Sequence, residues 1–242
     1  MKLFYFNFVF TIFIGGFEVL AGELEDDSIS VAVIHVPPYI DIGYRNKPIT
    51  GLAVDVTTRL VTQCGLKVRF VPMASWNRAI LLAKDGKIDG VIPAHKTEER
   101  QAVFDYVSEP VFTAEMVLFA RRAGGPSTFQ GLTSLYGKRV GVISEALVEK
   151  EFNSYIRSNQ VTLVEYRSLP VLLAGLVKNR LDFVAGNRVI GRFSAQEQGI
   201  LDRIIDLEPA LGYIPVYLAL SKRRQVSAET EKKIQSCLLL KQ

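Results

Sequence analysis

Twice along this chain, extended and helical runs alternate in the order β-α-β-α-β, and that repeated order limits the fold more than any other feature. In the first series, "SISVAVIHV" (28–36) is β-rich and stops at Pro37-Pro38, which cannot continue a ladder. "GLAVDVTTRLVTQCG" (51–65) places Leu52, Val56, Leu60 and Val61 at helical spacing, with Gly65 as a C-terminal stop. "LKVRFVP" (66–72) reads as a strand, "SWNRAILLAKDGK" (75–87) as a helix capped by Ser75, and "IDGVI" (88–92) as a strand. Two extended pieces fill 101–120, and "RRAGGPSTFQG" (121–131) is the one clear change of composition.

The rhythm then restarts. "GKRVGVI" (137–143), "QVTLVEY" (160–166) and "LDFVAG" (181–186) are strand-like. Between them lie helical "EALVEKEFNSYIRS" (145–158) and "LPVLLAGLVKNR" (169–180), the second with Pro170 in its first turn. A helix near 188–199, the strands "RIIDL" (203–207) and "LGYIPVYLALS" (211–221), and a helix over 227–241 complete the chain. Two such series predict an α/β protein with parallel sheets covered by helices, in two lobes with a ligand site between them.

The first 21 residues are of another kind. Lys2 precedes the apolar run "LFYFNFVFTIFIGGF" (3–17), and Val19 and Ala21 stand at −3 and −1 of a cleavage after Ala21. The run is short for a membrane span of ~20 residues, and no cysteine follows it to accept a lipid. The expectation is a signal peptide over 1–21 and an exported protein starting near Gly22; an uncleaved anchor is the alternative. In an oxidising compartment Cys64 and Cys237 either pair or remain two buried thiols. A formal net charge of +4 without a long basic run, and no zinc or phosphate-loop motif, give no sign of nucleic acid or a cofactor.

The stretch "DGVIPAHKTEER" (89–100) puts His95 and Arg100 just where a strand runs out, which is where open α/β sheets hold ligands. Arg100 is a candidate to hold an anion, against the bland reading of a solvated loop arginine.

Taken in order, "PPY" (37–39), "GLAVDV" (51–56), "VRFVPMASWNRAI" (68–80), "GKIDGVIPAHKTEER" (86–100), "FDYVSEPVF" (104–112), "LYGKRVGVISE" (135–145) and "NRLDFVAGN" (179–187) resemble the extracellular solute-binding proteins of family 3. That resemblance implies a type II periplasmic binding protein: two lobes, each a mostly parallel sheet flanked by helices, joined by a hinge. Lobe 1 would take residues 22–118 and 212–242 and lobe 2 residues 119–211, with crossings near Val117–Arg122 and Asp206–Gly212. It also implies a periplasmic protein that captures a small polar or anionic solute, amino-acid-like or a carboxylate, by hinge closure, and ABC permease subunits that recognise the closed form. A monomer is expected, because closure needs both lobes free.

Carried over residue by residue, the resemblance makes Arg100 the carboxylate fork, a role suited to a planar guanidinium that stays charged. His95 and Thr97 fall beside it, the first where the family has a hydroxyl residue. Tyr39 and Trp76 fall at the aromatic walls, and Arg78 adds positive potential one turn into its helix. The 89–100 span is one residue shorter than the family's, with Pro93 in place of a glycine. Glu145 opens "SEALV" (144–148), where the family has a Gly-Thr-rich anion loop. Asn187 stands where the family has the aspartate that pairs with an amino acid's ammonium, which argues against a routine amino-acid ligand.

Two other functions stay open from the sequence. One is a ligand sensor that hands its closed form to a receptor, although the chain stops at Gln242 without a further membrane helix or signalling domain. The other is a dehydratase-like enzyme on the same scaffold, for which Glu145 or His95 would be the acid or base.

Overall fold

The computed structural model describes residues 27–43, 47–144, 150–157 and 161–239. The proposed signal peptide and Glu145 lie outside them. No helix among the described residues is long and apolar enough to cross a membrane.

The first series folds into β1 (Ser28–Val33), α1 (Leu52–Gln63), β2 (Lys67–Pro72), α2 (Trp76–Lys84) and β3 (Gly90–Ala94). Strand β1 runs parallel to both β2 and β3. Ser75 caps α2 as the sequence predicts, its Oγ accepting from the Arg78 N–H at 3.3 Å. Helix α1 has no side-chain cap. Its first N–H groups, of Leu52 and Ala53, donate instead to the Pro38 and Tyr39 carbonyls. Gly51 makes that approach feasible: its φ is +127°, and a Cβ there would stand 2.4 Å from the Tyr39 oxygen.

A four-residue helix α3 (Glu98–Gln101) and β4 (Phe104–Tyr106) follow, then the long β5 (Phe112–Arg121). The second series gives β6 (Arg139–Ile143), α4 (Lys150–Ile156), β7 (Thr162–Tyr166), α5 (Leu169–Val177), β8 (Phe183–Asn187) and α6 (Arg188–Glu197). Strand β6 is parallel to β7 and β8. Strands β9 (Ile204–Asp206) and β10 (Gly212–Ser221) and helix α7 (Ala228–Lys233) end the chain, α7 continuing as a wider turn over Ile234–Leu238.

Eight of the strands follow one curled path, β2-β1-β3-β10-β5-β8-β6-β7, and two lie off it, β4 beside β10 and β9 beside β5. Each half is mostly parallel with one opposed strand, β10 in the first and β5 in the second. Strand β10 belongs to both. Gly212–Val216 pair with β5, whereas Tyr217–Ser221 pair with β3 and β4. The cores divide at the same places. Val107, Val111, Leu218 and Leu220 are buried with the first half, and Ala114, Met116, Leu118 and Val216 with the second. The chain therefore changes sheet near Val111–Phe112 and Val216–Tyr217, not at the expected 117–122 and 206–212. The outer ends of β5 and β10 were legible as strands, but only pairing shows which sheet owns each end.

Cys64, the C-cap of α1, is bonded to Cys237 in the last turn of the chain, 173 residues away. Leu238 beside it is buried in the first core.

Candidate functional site

A cavity of about 290 Å³ opens between the halves. Its walls come from the carboxyl ends of the parallel strands: Ile34 and Val36 follow β1, Pro93 and His95 end β3, Ile143 ends β6, and Gly186 and Asn187 end β8. The first turns of three helices add Trp76, Leu169 and Ile190, and the crossing strands add Phe112, Ala114, Met116 and Val216. Placement at strand ends, between two sheets, is where ligands sit in open α/β folds.

The polar groups converge on the first half. Arg100 lies over the Trp76 ring, its guanidinium carbon 5.2 Å from the centroid. Its Nη1 donates to the His95 carbonyl at 3.3 Å, and the Tyr106 hydroxyl donates to the same oxygen at 3.0 Å. Among the described residues, no carboxylate stands within ion-pairing distance of Arg100. A half-buried guanidinium aimed into a cavity without an internal counter-charge is a ready anion site.

The surroundings of His95 disfavour its charged form. Burial pushes its imidazole below the ordinary value, and the Arg100 charge pushes it further, while a ring hydrogen bond to the Pro215 carbonyl works the other way. Its Nδ1 is buried with no hydrogen-bond partner among the described residues.

Tyr39 and Asn187 join the two halves. The Tyr39 ring, itself buried, stacks on Phe112 with centroids 3.8 Å apart and planes 9° apart. Burial raises its hydroxyl above the ordinary value; a hydrogen bond with the Asn187 side chain opposes that rise and the Glu115 charge adds to it. Asn187 is also the N-cap of α6, its Oδ1 accepting from the Ile190 N–H at 3.0 Å.

The sequence-predicted residues sort as follows. Arg100, Trp76, His95 and Asn187 line the cavity. Tyr39 stands behind Phe112 rather than forming the wall itself. Thr97 is the N-cap of α3, its Oγ1 accepting from the Arg100 N–H at 3.3 Å, so it positions Arg100 from outside the cavity. Arg78 is exposed on α2 and does not line the cavity.

Sequence reasoning missed the apolar wall, because Phe112, Met116, Leu169 and Ile190 read like ordinary core residues. It also missed Arg188. That guanidinium, at the start of α6, gathers Glu115, Asp206 and Glu208. Burial lowers its pKa, but the hydrogen bonds to Glu115 and Glu208 and the charge of Asp206 outweigh this and raise it. Together with Arg192, which also reaches Asp206, Arg188 offsets part of that acidic charge. Among the described residues no group of three or more His, Cys, Asp or Glu side chains is placed to hold a metal ion.

Comparison with known proteins agrees with this architecture. A profile of the bacterial extracellular solute-binding proteins, family 3, matches residues 29–204. An ancestral arginine-binding protein bound to arginine superposes with a TM-score of 0.64 at 23% identity, covering 88% of this chain and 91% of that one. A histidine kinase sensor domain with similarity to periplasmic binding proteins gives 0.67 at 22% identity, covering 87% and 88%. The GluR0 ligand-binding core in complex with L-glutamate gives 0.66 at 20% identity, covering 87% and 92%. A search of curated proteins found no match. The two-lobed type II periplasmic binding fold is shared by all three structures, and the chain belongs to the bacterial extracellular solute-binding proteins, family 3.

Proposed function

We propose that this protein captures a small anionic solute in the cleft between its lobes, with Arg100 as the primary anchor. The lobes run through Val111 and from Tyr217 onward for the first, and between those points for the second. One observation carries the reading: Arg100 faces a cavity built by both lobes, braced by Trp76, with no acidic partner among the described residues. The hydrogen bond between Tyr39 of the first lobe and Asn187 of the second is a contact between the lobes, of the kind that closure of the cleft makes. The protein is exported through its first 21 residues, works as a monomer, and presents the closed form to ABC permease subunits.

The test is a thermal-shift screen of the protein without its leader, unfolded and refolded to remove bound solute. Amino acids, polyamines, and mono- and dicarboxylates form the panel, with Arg100→Ala beside the wild type. A true ligand at 100 times its Kd adds ~2.7 kcal/mol, or roughly 5–11 °C for a chain of this size. A hit lost in Arg100→Ala supports the reading, and silence from every anion sinks it. Loss of uptake of that solute in a deletion strain checks the transport role; intact uptake with a lost response to the solute would make the protein a sensor.

A further inference from the structure

We propose that the solute is a monocarboxylic acid with an apolar, branched or aromatic body and no ammonium group. This rests on the reading of the cleft as an anion-anchored solute site and narrows it to a ligand class.

Among the described residues that line the cavity, Arg100 is the one permanently charged side chain. An ammonium entering there needs a counter-charge, and no carboxylate is among the described residues of the lining. Asn187 Oδ1 accepts from the Ile190 N–H, and its side chain also bonds Tyr39. Glu115, Asp206 and Glu208 are paired with Arg188 and do not line the cavity. An ammonium donated to His95 would stand beside Arg100, which is already bonded to the His95 carbonyl at 3.3 Å. A buried cation without a counter-charge is strongly disfavoured.

The rest of the lining describes the ligand's body. Val36, Phe112, Met116, Ile143, Leu169 and Ile190 present hydrocarbon and one ring face, and they come from both lobes. A sugar or a second carboxylate placed against them would lose its hydration for no hydrogen bond. The size is limited too: about 290 Å³ corresponds to roughly ten water-sized groups at ~30 Å³ each. A short branched chain or a single ring fills that space beyond the carboxylate.

The experiment uses matched pairs that differ only in the ammonium: 4-methylpentanoate against leucine, and 3-phenylpropionate against phenylalanine, with succinate as a polar anion. Affinities for the refolded, leaderless protein are measured by calorimetry. The deaminated acids are expected to bind at least ~100-fold more tightly than their amino-acid partners, and more tightly than succinate. Asn187→Asp, whose aspartate caps α6 equally well, is expected to narrow the gap at least ~10-fold. Amino acids that bind as tightly as the acids would overturn this inference and leave the anion-binding function standing. Tight succinate beside weak apolar acids would do the same. If no carboxylate binds while the protein is folded by circular dichroism, the inference and the anion-binding function both fail.

Discussion

Arg100 and Trp76 form a single unit in which the guanidinium lies over the indole, 5.2 Å from its centroid, at the wall of the cleft. The ring supplies a cation–π contact, and the guanidinium, with Nη1 on the His95 carbonyl, presents its remaining N–H groups to a planar anion. Trp76 is also the one tryptophan in the chain. Ligand binding is therefore expected to change the protein's tryptophan emission, and the change reports this wall alone. Arg100→Lys retains the charge but loses both the fork and the flat stacking surface. It is expected to weaken a carboxylate at least ~10-fold, about 1.4 kcal/mol. An emission titration that gives equal Kd values for wild type and Arg100→Lys would reject the fork.

How much of this was legible in the sequence follows from what each signal depends on. Period and caps are local, so the β-α-β-α-β series, Ser75 as a cap and Pro170 in the first turn of α5 were all readable before folding. Arg100 and His95 were readable because they interrupt an apolar strand at its end. The division of β10 between two sheets was not, since Gly212–Ser221 is one uniform extended run and only its partners differ. The apolar half of the cleft was hidden for a related reason: a residue facing a ligand cavity has the same chemistry as one facing the core. Asn187 was noticed as a missing acid, but its work as the cap of α6 and as a link to Tyr39 needs coordinates.

The Cys64–Cys237 bond joins the end of α1 to the last turn of the chain across 173 residues. Chain-entropy reasoning for so long a loop gives up to about 5 kcal/mol, and native bridges more often yield ~2–5 kcal/mol when removed. The Cys64→Ser/Cys237→Ser protein is expected to melt at least ~4 °C lower at this chain length. Reductant should lower the wild type alone. Coincident melting curves with and without reductant would show that the bond adds nothing.

Gly191 sits inside α6, where alanine would ordinarily help by ~0.5–1 kcal/mol. Packing reverses the sign here. A Cβ at 191 would stand 2.2 Å from Phe119 Cζ and 2.5 Å from Cε2, and Phe119 is fully buried with no room to retreat. Gly191→Ala is expected to cost a net ~1–3 kcal/mol in urea unfolding, as overpacked cores do. Trimming the ring by adding Phe119→Leu should recover part of the loss in a double-mutant cycle. A single mutant as stable as wild type would show that α6 can shift away from β5.

Asp182 precedes β8 and receives three hydrogen bonds from Arg139: the backbone N–H at 2.8 Å, Nε at 3.1 Å and Nη2 at 2.9 Å. Those side-chain bonds hold its carboxyl down at about 2, against an ordinary 3.8, with burial working in the opposite direction. A carboxyl whose pKa is depressed by folding binds its proton more readily in the unfolded chain, so its contribution is fully present above about pH 4 and fades as the pH falls toward about 2. Asp182→Asn is expected to be less stable than wild type at neutral pH, by a modest amount because both side chains are partly open to water and salt. The difference should close between pH ~4 and ~2. Urea unfolding of both proteins across that range checks the sign. A gap that stays constant down to pH ~2 would mean that the aspartate stabilises β8 and the start of β6 through its shape rather than its charge.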